Sequence, residues 1–255
     1  MPWYELIAIA VAGVAAGTIN AVVGSGTLIT FPTLLAFGFP PVVANVSNNI
    51  GLVPGGATAS WGYRRELQGQ GRRIRTLAPM SLLGAVTGAL LLLRLPASAF
   101  STIVPVLLAL SIVLVLVQDR IQLAVARRRE SGASGRGHSA IAMAGVYGAG
   151  AYGGYFGAAQ GVLLVGLLGA LLPEPLQRVN ALKNVLSLVV NAVSAVVFLT
   201  VARDSIDMRV VALIAAGSLL GGVLGSRFGR RLSPRALRLL IVVVGVVAIV
   251  KVVTS

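Results

Sequence analysis

The sequence has no cysteine, one histidine and only seven acidic residues in 255. The lack of cysteine rules out disulfides and thiolate metal ligands. The single histidine, His138, sits in a polar segment between apolar runs and reads as a solvated loop residue. Histidine-based hydrolytic or metal chemistry therefore has no foundation here, and no catalytic residue, metal or cofactor is expected. Glu5, Glu66, Asp119, Glu130, Glu174, Asp204 and Asp207 all fall at the edges of apolar segments or between them. No carboxylate is left inside a span, where a proton relay or a sodium site would need one.

Charge as a whole is scarce. Charged residues make up 11% of the chain, against about 25% in soluble domains. What fills the space is apolar: 56% of residues are hydrophobic, in runs such as Ser101–Val117 and Leu237–Val253 that approach the roughly 20 residues needed to cross a bilayer. The runs are continuous rather than alternating, which excludes a β-barrel. The chain reads as an all-α, polytopic membrane protein. The first run has no Lys or Arg before it, so it reads as a span rather than a signal peptide, with Trp3 and Tyr4 as interfacial anchors.

Ten apolar segments can be marked. Eight are long, near 4–23, 42–63, 77–93, 99–117, 140–157, 177–200, 210–226 and 236–253. Two are short, Thr27–Phe37 and Gln160–Leu172; each follows a small-residue break (Gly24-Ser25-Gly26 and Gly157-Ala158-Ala159) and runs into prolines. The net charge of +14 comes from Arg-rich loops at 64–76, 118–139 and 226–238, whereas 94–98 and 201–209 are poor in Arg and Lys. The positive-inside rule places the first three in the cytoplasm, and the bilayer rather than nucleic acid accounts for the basic balance. This parity requires both short segments to cross, giving five plus five crossings in a cytoplasmic (inner) membrane.

The halves resemble each other. "SLLGAVTGA" (Ser81–Ala89) recurs as "SLLGGVLGS" (Ser218–Ser226). Gly26 pairs with Gly161, Asn45 with Asn180, and Asn49 with Asn184, all 135 residues apart. A first repeat at 1–125, a linker at 126–139 and a second repeat at 140–255 are expected. The loop charges make the two repeats inverted, a recurrent plan with broken helices meeting at the midplane.

Asn45, Asn48 and Asn49 share one helical face, and so do Asn180, Lys183 and Asn184, with Ser187 and Asn191 extending the second. Buried polar groups in a bilayer either bond between helices or face a cavity. Paired faces at equivalent places in inverted halves favour a midplane binding site. Lys183 either snorkels to the interface or faces that cavity; the shortness of the segment before it favours the cavity. Ser25, Gly26, Gln160 and Gly161 lie at the breaks, where helix N-termini offer N–H groups and a positive dipole end. The alternative for the glycines is close helix packing. The Gly-rich run Ala144–Gly157 lies inside a span and is read as a packing surface, with Tyr147, Tyr152 and Tyr155 either packed or cavity-facing. Donors and one Lys without an acid select a small anion as partner.

The stretches "GTINAVVGSGTLITFPTLLAFGFPPVVANVSNNIG" (Gly17–Gly51), "YGGYFGAAQGVLLVGLLGALLP" (Tyr152–Pro173) and "NALKNVLSLVVNAVSAVVF" (Asn180–Phe198) resemble the sulfite exporter TauE/SafE family of membrane transporters. The resemblance covers nearly the whole chain. It implies export of sulfite, a sulfonate or a related small sulfur-containing anion. The family's glycine run at the first break is interrupted here by Ser25. Two other readings of the residues stay open: a passive anion channel, and a non-transporting scaffold that docks a partner on its Arg-rich loops.

Overall fold

The structure is a computed structural model, and it describes residues 1–130, 139–229, 239, 242–244 and 246. Among these residues there is no strand. The helices are α1 (Trp3–Val22), α2 (Thr27–Ala36), α3 (Pro41–Gly51), α4 (Val53–Gly62), α5 (Gly71–Arg94), α6 (Ala97–Glu130), α7 (Ser139–Tyr155), α8 (Gln160–Leu171), α9 (Leu176–Val201) and α10 (Met208–Phe228). Five described stretches are long and apolar enough to span a bilayer: Trp3–Val22, Gly71–Arg94, Ser98–Leu123, Leu176–Val201 and Met208–Phe228. The protein is an all-α, polytopic membrane protein. The expected last span, 236–253, lies outside the described residues except for those few positions. Helix α6 continues five residues into the segment expected to be linker.

One expected span is corrected. The run 42–63 is not a single helix but two, α3 and α4, divided at Leu52. Pro54 has no N–H to offer the carbonyl of Ile50. A side chain then enters the gap: Ser218 Oγ donates to the Gly51 carbonyl at 2.7 Å and accepts from the Gly55 N–H at 3.2 Å. In an unbroken helix these two backbone groups would bond each other. A residue inserted into the ladder is a recognised cause of a kink.

Packing follows small residues. Gly13 and Gly17 of α1 lie against Ile214 and Ser218 of α10, while Gly217 and Gly221 lie against Ala10 and Val14. A Cβ added at Gly17 or Gly221 would overlap partner backbone. The register rises together on both helices, so α1 and α10 run parallel. The same seam joins α5 to α7, where Gly84 and Gly88 meet Tyr147 and Ala151, and Gly150 and Gly154 meet Ser81 and Ala85. Helix α4 also runs with α10, since Gly55 meets Ser218 and Gly62 meets Ser226. Its counterpart α9 runs the other way: Asn49 reaches Asn191, whereas Gly56, further along, reaches the earlier Leu188. Equivalent helices therefore point in opposite directions, as inversion requires.

The ends of the bundle sort as the charges require. Tyr63, Gln118, Gln122 and Gly229 line one cavity, which puts the described parts of the three Arg-rich segments, 64–76, 118–130 and 226–229, at the same end. Met1, Val43, Asp204 and Asp207 share a depression at the other.

Candidate functional site

Helices α1 and α7 both end in the interior at the small-residue breaks. Helix ends leave carbonyls without intrahelical partners, and both ends solve this alike. The N–H groups of Val23 and Gly24 bond the Ile19 carbonyl, and those of Phe156 and Gly157 bond the Tyr152 carbonyl. Gly24 and Gly157 both take positive φ, 86° and 80°, the left-handed conformation that favours glycine. The structural register across the breaks is thus 133 residues, which pairs Gly24 with Gly157 and Gly26 with Ala159. The expected pairing of Gly26 with Gly161 is corrected accordingly. Helix α8 is two residues longer than α2, 12 against 10, and that difference restores the spacing of 135 at the asparagines.

The remaining carbonyls are taken by the polar faces of the opposite half. Asn45 donates to the Tyr155 carbonyl at the end of α7, 2.9 Å away. Asn180 and Asn184 each donate to the Ala21 carbonyl at the end of α1, both at 3.2 Å. Lys183 Nζ donates to the Asn20 carbonyl at 2.8 Å and to that of Ala21 at 3.4 Å. Lys183 is completely buried and does not snorkel. A cation at a helix C-terminus is favoured by the partial negative charge there.

The two breaks touch. Gly161 donates its N–H to the Gly24 carbonyl at 3.0 Å, and a Cβ on either glycine would run into the other. The stem of Lys183 crosses the same spot, its Cδ 2.9 Å from where a Gly161 Cβ would lie. Gly26 is likewise closed in, facing the Ala16 carbonyl. Ser25 is fully buried, Gln160 is 3% exposed, and Ser25 Oγ and Gln160 Nε2 have no hydrogen-bond partner among the described residues. Neither α2 nor α8 has a side-chain cap.

All ten expected site residues are interior, but they do not form one face-to-face cluster. Gly161, Asn180, Lys183 and Asn184 converge on the first break. Asn45 holds the end of α7. Asn48 turns to its own half, bonding Thr30 and, at 3.2 Å, Thr27. Asn49 alone reaches across to α9, where its amide meets Asn191 at 3.5 Å. Thr27 and Thr30 were not singled out in the sequence, although their spacing puts them on one face of the short helix. Ser111 was also missed. The Tyr152 hydroxyl donates to the Ala158 carbonyl at 2.7 Å and lies 2.8 Å from Ser111 Oγ, which ties the second break to α6. There Ala159 is held at φ 60°, a strained value for a residue with a Cβ.

A cavity of about 250 Å3 opens at the Arg-rich end, and Asn180 forms part of its wall beside Val22, Val23 and Val162. Among the described residues, Lys183 is the one buried charged side chain.

The family pattern described as "Sulfite exporter TauE/SafE" matches residues 9–252. The chain belongs to the TauE/SafE family. A "Probable membrane transporter protein" of Haemophilus influenzae is 27% identical over 215 residues, covering 84% of this chain and 81% of the relative. A "Probable membrane transporter protein ORF9" of Sinorhizobium is 35% identical over 98 residues, which span 38% of each chain. No solved structure matches. A membrane transporter family, five long apolar helices and two short apolar ones describe a multi-pass transporter.

Proposed function

We propose that this transporter exports a small oxyanion of the sulfite or sulfonate class across the cytoplasmic membrane by alternating access, and that it has no enzymatic activity. The observation that carries this reading is Lys183: a fully buried lysine whose bonds go to carbonyls and whose surroundings, among the described residues, hold no buried carboxylate. An ammonium has three N–H donors, so one remains for a ligand. The starts of α2 and α8, which have no side-chain cap although the Gly161 N–H is taken by the Gly24 carbonyl, add the positive ends of two helix dipoles. Ser25 Oγ and Gln160 Nε2 are buried and without partners among the described residues, and Asn180 stands between the site and the cavity at the Arg-rich end.

Outward movement of an anion is downhill in an inside-negative cell by about 2.3 kcal/mol per charge per 100 mV, so export needs no carboxylate-based coupling. The relatives' descriptions as membrane transporters and the family's as a sulfite exporter support the same class.

The test is flux of sulfite, thiosulfate and methanesulfonate from loaded proteoliposomes. Flux is expected to saturate with substrate, and Lys183→Met is expected to abolish it while the purified variant stays monodisperse. Non-saturating flux would favour a channel. Wild-type flux in the Lys183→Met variant would remove Lys183 from the site.

A further inference from the structure

The polar face of α9 does not stop at the break. Asn180, Lys183, Asn184, Ser187, Asn191 and Ser194 follow one another by helical steps, and every one is buried, at most 9% exposed. The first three donate to the carbonyls of α1. The last three do not. Asn191 receives a single bond from Asn49 at 3.5 Å, the outer limit for such a contact. Asn49 Oδ1, Ser187 Oγ and Ser194 Oγ have no partner among the described residues.

Buried helical hydroxyls without a partner among the described residues also occur at Ser60 and Ser81, but here three open oxygens gather between α3 and α9. Several other helical hydroxyls fold back onto the carbonyl four residues earlier: Thr87 on Leu83 at 2.9 Å, Ser111 on Leu107 at 2.7 Å, Thr200 on Val196 at 2.8 Å. Ser187 and Ser194 leave this local solution unused. Interhelical glue would be partnered; these groups are buried and open.

We propose that Asn49, Ser187, Asn191 and Ser194 form a second anion station, a neutral one, on the side of Lys183 away from the Arg-rich loops. The proposal rests on the transport reading above. Along α9 the station begins one turn past Lys183 and centres on Asn191, about 12 Å further on. An oxyanion leaving Lys183 meets hydroxyl and amide donors there, which match its oxygens without adding a charge. A ligand in transit must be bound well enough to enter and weakly enough to leave. A charged first site followed by an uncharged second one meets that requirement, and the kinked end of α3 carries Asn49 to the station from the other half.

The experiment uses the full chain and sulfite as the probe, with two readouts: the sulfite-dependent rise in Tm of the purified protein and the initial flux from proteoliposomes at saturating sulfite. In the Ser187→Ala/Asn191→Leu variant the Tm rise is expected to persist, because Lys183 is intact, while maximal flux falls by about tenfold. Should that variant fail to fold, Asn191→Ser and Ser194→Ala are measured by the same pair of readouts. Flux within twofold of wild type overturns the station. Loss of the Tm rise together with flux also overturns it, since the residues would then belong to the first site. If wild-type protein shows neither effect with sulfite, the transport reading itself fails.

Discussion

Helices α3–α4 and α9 are equivalent in the two halves, yet the first is broken at Leu52 and the second runs 26 residues without interruption. The difference lies in two positions and one neighbour. Pro54 and Gly55 correspond to Val189 and Val190 of α9. Ser218 of α10 fills the gap in the broken helix, while its counterpart Ser81 of α5 is buried with its hydroxyl unpartnered among the described residues. The two similar segments thus share the wedge serine, while only one of them has the slot. A repeat can be legible in sequence while the two copies carry different mechanical roles.

Copying the unbroken helix into the broken one is the severest test. Gly55→Val puts a Cβ about 2.7 Å from the Ser218 carbonyl oxygen. Overpacking of this kind costs about 3 kcal/mol, and thermal unfolding in detergent should show a collapsed Tm or no monodisperse protein.

The two wedge serines give the cleanest contrast. Ser218→Ala leaves the Gly51 carbonyl and the Gly55 N–H unpaired and is expected to cost about 1–3 kcal/mol. Ser81→Ala removes a buried hydroxyl with no partner and should be neutral or mildly stabilising. Equal effects from the two would mean that the kink does not depend on the inserted side chain.

Pro54→Ala sharpens the same comparison, because it offers the Ile50 carbonyl a donor again. Alone it should shift stability by about 1 kcal/mol or less. Combined with Ser218→Ala it should reduce the cost of that change, a coupling that a double-mutant cycle reads directly.

The smallest effect belongs to the turn that starts α9 and has no match at the start of α3. Glu174 bonds Arg73 of α5 and Arg178 of α9. Burial raises its carboxyl pKa, but the hydrogen bonds and charges of the two guanidinium groups outweigh this and hold it below the usual carboxylate range. Its contribution to stability is therefore present above the ordinary carboxylate pKa and lost as the pH falls through the lowered value. The three side chains are partly solvated, so screening keeps the effect small. Glu174→Gln should lower Tm slightly at neutral pH and flatten the acid side of the Tm–pH curve, so that variant and wild type converge at low pH.

Much of this architecture was legible from composition and spacing. The breaks at Gly24–Gly26 and Gly157–Ala159, the short helices after them and the buried asparagine faces all follow from where small and polar residues interrupt apolar runs. The kink at Leu52 was not read, because Pro54 sits within an apolar run and its remedy, Ser218, is 164 residues away. The register at the breaks was read two residues out, because helix length is decided by packing rather than by motif. Periodicity placed Asn180, Lys183 and Asn184 on one face. What that face meets is the end of α1, and no local pattern encodes a contact that distant.

The glycine seams have a mechanical consequence. Each one rivets a helix of the first half to a helix of the second, α1 to α10 and α5 to α7, with backbones too close to slide past one another. Any rocking of this protein must then carry those mixed pairs as blocks, so the bodies that move cut across the bodies that were duplicated. Coexpressed halves should find each other without a covalent join, since neither can complete a block by itself.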